Sequence, residues 1–151
     1  MTEKEALSKA MAYCAARECS ISQMHSKLVQ WGVDREVSEQ IISSLIQENF
    51  INEKRYAMTF ASDKFRFLNW GRQKIAFALK QKGIPSGLIN EAINSIDQEE
   101  YVKRLEKFIS SKRKTLKGGT EYQNNIKLIR SAVNRGFEIS LIREIVPLVE
   151  E

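Results

Sequence analysis

The chain has 151 residues, 42% of them apolar and 28% charged, which is enough apolar material for a real core and too much for a chain disordered throughout. With only two prolines and seven glycines, many Lys, Glu, Gln, Ile and Leu residues and no sustained strand-like alternation, it reads as all-α. No apolar run approaches the roughly 18 residues of a membrane span, and MTEKEALSKA is neither apolar nor arginine-rich like a targeting peptide, so the expectation is a cytoplasmic protein with no membrane partner.

In chain order, residues 3–17 predict a first helix with Ala6, Leu7, Ala10, Met11 and Cys14 on one side. Ser20 and Gln23 have the spacing of a capping box, which opens a second helix through Met24, Leu28 and Val29 as far as Trp31-Gly32. Asp34 caps a third, with Val37, Ile41, Ile42 and Leu45 inward and a stop near Asn49. Asn52 caps a helix over 53–68, whose partly apolar face holds Ala57, Phe60, Ala61, Lys64 and Phe65. Next comes 71–84, a short basic helix closed by Gly83. Pro85 then starts a helix carrying Leu88, Ile89, Ala92, Ile93 and Ile96. Asp97 with Glu100 opens a helix striped by Tyr101, Leu105, Phe108 and Ile109, and Gly118-Gly119 breaks the chain. Thr120 with Gln123 is a second capping box, and helices over 121–135 and 138–149 follow; Pro147 should kink the last one or end it early.

Aligning Gly32, Gly83 and Gly136, which are spaced 51 and 53 residues apart, reveals a repeat. Apolar residues recur just after each glycine (Val33, Ile84, Phe137) and at five, nine, ten and thirteen residues beyond it, the last set being Leu45, Ile96 and Val149. They recur eight before it (Met24, Ile75, Leu128) and four before it (Leu28, Leu79, Ala132). The reading is three tandem three-helix repeats, 1–50, 51–97 and 98–151, stacked into an elongated, curved helical array.

Charge is laid unevenly over this frame. Residues 1–50 carry 5 basic and 7 acidic side chains, 51–97 carry 8 and 4, and 98–151 carry 11 and 8. The stretch 64–82 holds six cations and no acid, and 103–117 holds seven against Glu106 alone. On charge and position the candidate contacts to a polyanionic partner are Lys64, Arg66, Arg72, Lys74, Lys80 and Lys82, with Lys112, Arg113 and Lys114 in support.

Enzyme chemistry has little to build on. There is no Gly-rich phosphate loop and no metal-ligand spacing, and His25 is the single histidine, read as half-packed on a helix. Cys14 and Cys19 do not form a C-x-x-C pair and are read as reduced structural thiols. Glu36, Glu39 and Glu48 read as a solvated face, and Phe60, Phe65, Phe77 and Phe108 as core rather than a base-stacking platform. No metal or other cofactor is expected.

Several spaced motifs agree in order with one known family. They are Tyr13-Cys14 followed by Ser20 and Lys27-Leu28; Phe50-Ile51-Asn52-Glu53 with Arg55-Tyr56-Ala57; Gly71, Ile75, Leu79 and Lys82-Gly83-Ile84; and Arg135-Gly136-Phe137. Together they resemble the RecX family, small bacterial modulators of the RecA recombinase, over nearly the whole chain. Trp31 departs by standing where the other copies have Lys82 and Arg135, Glu53 by replacing the more usual Asp, and Trp70 by preceding Gly71. The resemblance implies tandem three-helix repeats and binding in the groove of the RecA–DNA filament. It also implies inhibition of ATP hydrolysis, strand exchange and repressor cleavage, in part by blocking filament extension, with no catalysis of its own. A monomer contacting that filament, and single- or double-stranded DNA within it, is the expectation. The alternative is a helical DNA-binding protein acting without a recombinase; against it, the helix after each glycine is mainly apolar and, in the first copy, acidic.

Overall fold

The computed structural model describes residues 1–148, and among them the chain forms nine helices and no strand. They are α1 (Glu3–Ala16), α2 (Ile21–Gln30), α3 (Arg35–Gln47), α4 (Glu53–Leu68), α5 (Arg72–Gln81), α6 (Ser86–Asn94), α7 (Gln98–Arg113), α8 (Glu121–Asn134) and α9 (Ile139–Ile145). Short polar side chains fix the starts. Oxygens of Thr2, Asp34, Asn52 and Asp97 accept from the backbone N–H three residues on. Ser20 with Gln23 and Thr120 with Gln123 form reciprocal capping boxes. Each cap satisfies a donor that the first helical turn leaves open, stabilising by about 1 kcal/mol.

The three aligned glycines end α2, α5 and α8 in one way. Gly32, Gly83 and Gly136 have φ of +78°, +78° and +99°, a region that L side chains avoid. The next residue turns its N–H back to a carbonyl five positions earlier: Val33 to Leu28 at 3.0 Å, Ile84 to Leu79 at 3.1 Å and Phe137 to Ala132 at 3.2 Å. Met24, Ile75 and Leu128, and one turn later Leu28, Leu79 and Ala132, are each 0% exposed, so the helix before each glycine keeps its frame positions in the core in all three copies. The tandem three-helix repeats read from the sequence are the observed fold. Helix α9 ends at Ile145, and Val146 is extended (φ −117°, ψ 91°) because the ring of Pro147 disfavours a helical residue before it. Val149, aligned with Leu45 and Ile96, lies outside the described residues.

Helices α1, α2 and α3 pack on one another, as do α7, α8 and α9. Compactness cuts the chain inside the middle repeat. One unit is Met1–Thr59 with Leu79–Ala92, and the other is Phe60–Ala78 with the chain from Ile93 onward.

In the first unit, Ala6, Ala10, Met24, Leu28, Ile41, Ile42, Leu45 and Ile51 build the core. The start of α4 is tied to it. Glu53 accepts from the Ile21 N–H at 3.3 Å, and Gln23 donates to the Tyr56 hydroxyl at 3.3 Å. Arg55 Nε donates to Glu18 Oε1 at 2.8 Å while its Nη2 reaches the carbonyl of Asn49 at 3.2 Å. Arg55-Tyr56-Ala57 is thus a structural motif. Cys14 and Cys19 are free, buried thiols. Burial pushes both up, Cys19 to about 12, which leaves little thiolate for chemistry. His25 is exposed rather than half-packed, because it follows the buried Met24 and falls on the outer side of α2.

In the second unit, an aromatic row fills the core. Tyr101 packs on Phe65 (ring centroids 5.7 Å apart) and on Phe137 (5.2 Å), and Phe137 stacks on Phe108 at 6.4 Å. Such rows combine large buried area with favourable ring contacts. The Gly71 N–H donates to the Arg135 carbonyl at 2.8 Å, and the Gln73 N–H to the Gly136 carbonyl at 3.0 Å. The first turn of α5 is therefore stitched to the end of α8.

Candidate functional site

The acid-free stretch 64–82 runs from the second half of α4 through α5 to the turn at Gly83. Its cations do not share one role. Arg72, expected on a face left free for a partner, is turned inward, its side chain 14% exposed. Its Nε donates to the Ile93 carbonyl at 3.2 Å, its Nη2 to the Ile96 carbonyl at 3.3 Å and its Nη1 to Glu138 at 3.4 Å. The guanidinium also lies 3.9 Å from the centroid of the Tyr101 ring. The Tyr101 hydroxyl donates to Glu138 and accepts the Arg72 backbone N–H at 2.9 Å. Burial first, and Glu138 second, hold that hydroxyl well above the usual tyrosine range. This network closes on itself: Arg72 serves the fold, since a buried cation without such partners would be strongly destabilising.

Lys64 and Lys74 converge, one from α4 and one from α5. Their ammonium groups lie 5.1 and 4.7 Å from the ring centroid of Trp70, and Lys64 is also 5.3 Å from the ring of Phe60. Phe60 meets Trp70 edge to face, centroids 6.3 Å apart. Trp70 is fixed as the second residue of the link between the two helices, where Asn69 takes φ +55° and the Trp70 N–H returns to the Lys64 carbonyl at 3.1 Å. Arg104 of α7 holds the same link by donating to the Arg66 carbonyl (2.9 Å) and to Asn69 (3.1 Å). The Arg66 side chain is exposed.

The remaining candidates lie elsewhere. Lys80 is exposed and Lys82 half-buried, both on the part of α5 and its turn that belongs to the first unit. Lys112, Arg113 and Lys114 are exposed at the end of α7, about 13 Å along the helix axis from Arg104. Arg113 donates to Asn125 at 3.1 Å, which ties that end to α8. The structure thus joins Lys64 with Lys74, sets Arg72 apart, and distributes the rest.

Two rings were misplaced or passed over by reading the sequence. Phe77, expected in the core with Phe60, Phe65 and Phe108, is 64% exposed, and Phe67 is 77% exposed. The helical period explains Phe77: it stands two residues from both Ile75 and Leu79, about 200° round the helix from the face they bury. The spacing of Ile75 and Leu79 carries that signal in the sequence itself. Phe65 is buried as expected, whereas Phe60 and Phe108 are half-buried. Glu36, Glu39 and Glu48 are exposed, in keeping with a solvated face.

Among the described residues no helix is long and apolar enough to cross a membrane. Comparison with known proteins agrees with the repeats. Residues 6–45 match the family model for the RecX first three-helix domain, and 52–93 that for the second. The chain is 33% identical over 147 residues to the regulatory protein RecX of Chlorobaculum tepidum, covering 97% of this chain and 89% of that one. It is 29% identical over 141 residues to that of Prosthecochloris aestuarii, covering 93% and 91%. The crystal structure of RecX from Lactobacillus salivarius superposes with a TM-score of 0.87 at 19% identity over 95% of this chain and 94% of that one. That of another regulatory protein RecX gives 0.88 at 21% identity, covering 95% of this chain and 70% of that one, so the likeness to both crystal structures is one of fold. Sequence kinship over almost the full length, with family models matching the first two repeats, makes this chain a member of the RecX family of regulatory proteins.

Proposed function

We propose that the protein regulates homologous recombination and DNA repair by binding the RecA–DNA filament and inhibiting its ATPase, strand-exchange and co-protease activities. It does so as a cytoplasmic monomer without catalysis of its own. The observation that carries this reading is the 33% identity to a regulatory protein RecX across 97% of the chain. The charge distribution supports it, because a basic middle segment suits a filament that contains DNA. The contacts proposed are Lys64, Arg66, Lys74, Lys80 and Lys82, with Lys112, Arg113 and Lys114, leaving Arg72 to the fold.

The test titrates the protein into a DNA-stimulated ATPase assay of the RecA from the same organism. Inhibition at substoichiometric ratios is the expected result, and unchanged hydrolysis at an excess of the protein overturns the reading. Reversing Lys64 and Lys74 together to Glu should weaken inhibition. Full inhibition by that variant would leave the filament reading standing and remove these two lysines from it.

A further inference from the structure

The chain has thirteen aromatic residues, and among the described residues only Phe67 and Phe77 are exposed. Both fall in the stretch 64–82, which holds six cations and no acid. Apolar rings of this size left in water need a reason, since burying one is ordinarily favourable by about 1.5 to 3 kcal/mol.

Their setting is a repeated pattern. Lys64 and Phe67 stand three residues apart on α4, and Lys74 and Phe77 three apart on α5, so each lysine shares a helix face with its ring. Trp70 lies between the two pairs in the chain, with both ammonium groups over its indole. The order is thus cation, ring, indole, cation, ring, and every member belongs to the second compact unit. A polyanion with flat apolar groups spaced along it matches this order. A protein partner would match the rings but gives no reason for the lysines that frame them.

We propose that Lys64, Phe67, Trp70, Lys74 and Phe77 form a stacking platform for single-stranded DNA, with unpaired bases on the rings and phosphates on the two lysines. Stacking on an aromatic side chain needs no particular base, because every base has a π-face, so the platform is sequence-tolerant. The Trp70 indole is partly covered by ammonium groups held by contacts weak enough at a surface to exchange for a base. On binding, each lysine moves from the ring to a neighbouring phosphate, and no buried group loses a partner. Duplex DNA keeps its bases in the stack and offers the platform only phosphates. The proposal stands apart from the filament reading, because it concerns DNA without a recombinase.

The experiment measures binding of the full chain to a labelled oligodeoxythymidylate of about 20 nucleotides by anisotropy, in parallel with intrinsic fluorescence in a Trp31→Phe background that leaves Trp70 as the sole indole. Expected are saturable quenching of Trp70 and about tenfold weaker binding for Phe77→Ala and for Phe77→Leu, the worth of one base–aromatic stack. An abasic strand of the same length should bind more weakly than the thymidylate, and a duplex should leave Trp70 unquenched. Lys74→Ala should lower the slope of log affinity against log salt by about 1, which Phe77→Ala should not. Wild-type affinity in Phe77→Leu, equal binding of the abasic strand, Trp70 quenching by duplex, or no binding of the thymidylate at all would each overturn the proposal. The first of these outcomes assigns the rings to an apolar protein partner instead. Because Phe77 is 64% exposed, its variants are not expected to unfold the chain, and far-UV circular dichroism checks this.

Discussion

A β-carbon added to Gly71 would overlap the backbone of Gly136 and Phe137, and one added to Gly136 would overlap Lys74. The glycines of two motifs more than sixty residues apart in sequence are therefore one feature, a backbone-to-backbone contact fixed by the bonds from Gly71 to Arg135 and from Gln73 to Gly136. Gly71→Ala should lower stability by about 3 kcal/mol, as expected for overpacking against main chain that cannot move aside. Gly136→Ala should cost more, because its φ of +99° adds backbone strain. Gly87→Ala, which meets nothing within 4 Å, is the control and should change stability by less than about 1 kcal/mol. Urea midpoints of the three variants decide the matter.

Arg72→Lys should destabilise nearly as much as Arg72→Ala, by about 2 to 4 kcal/mol. A single ammonium cannot serve Ile93, Ile96 and Glu138 together, and the Ala change removes the counter-ion of the Glu138 carboxylate altogether. Lys80→Ala, at an exposed position, should stay within about 0.5 kcal/mol. Thermal melts of the three variants test this. A loss of recombinase inhibition in an Arg72→Glu protein would report on folding before it reported on a binding face.

Ser38 is 4% exposed on α3, and its hydroxyl has no hydrogen-bond partner. Ser38→Ala removes an unsatisfied buried polar group and raises helix propensity, so stability should rise by about 1 kcal/mol. An unchanged or lower denaturation midpoint would count against the hydroxyl being unsatisfied.

Stability should also fall in alkali. Cys14, Cys19, Tyr56 and Tyr101 all have folded-state values raised by burial, and Cys19 reaches about 12 from an ordinary 9.0. A raised acid is neutral in the fold and ionises first in the unfolded chain. Its contribution is therefore complete below pH 9 and is lost as pH climbs through the folded values. Denaturant midpoints should hold level up to about pH 9 and decline from there toward pH 12, with a smaller decline in Cys19→Ala. A flat profile across that window contradicts the burial of these groups.

Much of this protein was legible in its sequence, for reasons that are local. Caps at Ser20, Asp34, Asn52, Asp97 and Thr120 work through backbone donors three residues away. The glycine turns need only a permissive φ, and the frame positions repeat because each copy presents the same face to a core. The helix end before Pro147 was equally local. The fate of individual cations and rings was not. Arg72 and Lys74 have the same charge and lie two residues apart. They differ because the face of α5 that carries Arg72 meets carbonyls of Ile93 and Ile96, the ring of Tyr101 and the carboxylate of Glu138, groups that come from distant parts of the chain. Phe65 and Phe77 are both phenylalanines in amphipathic helices, yet only Phe65 has Tyr101 to pack against. Sequence by itself determined the helices, their turns and their threefold repetition, since those depend on neighbours along the chain. Only the tertiary structure decided which basic and aromatic side chains hold the fold and which are left facing solvent, because that depends on which distant groups arrive beside them.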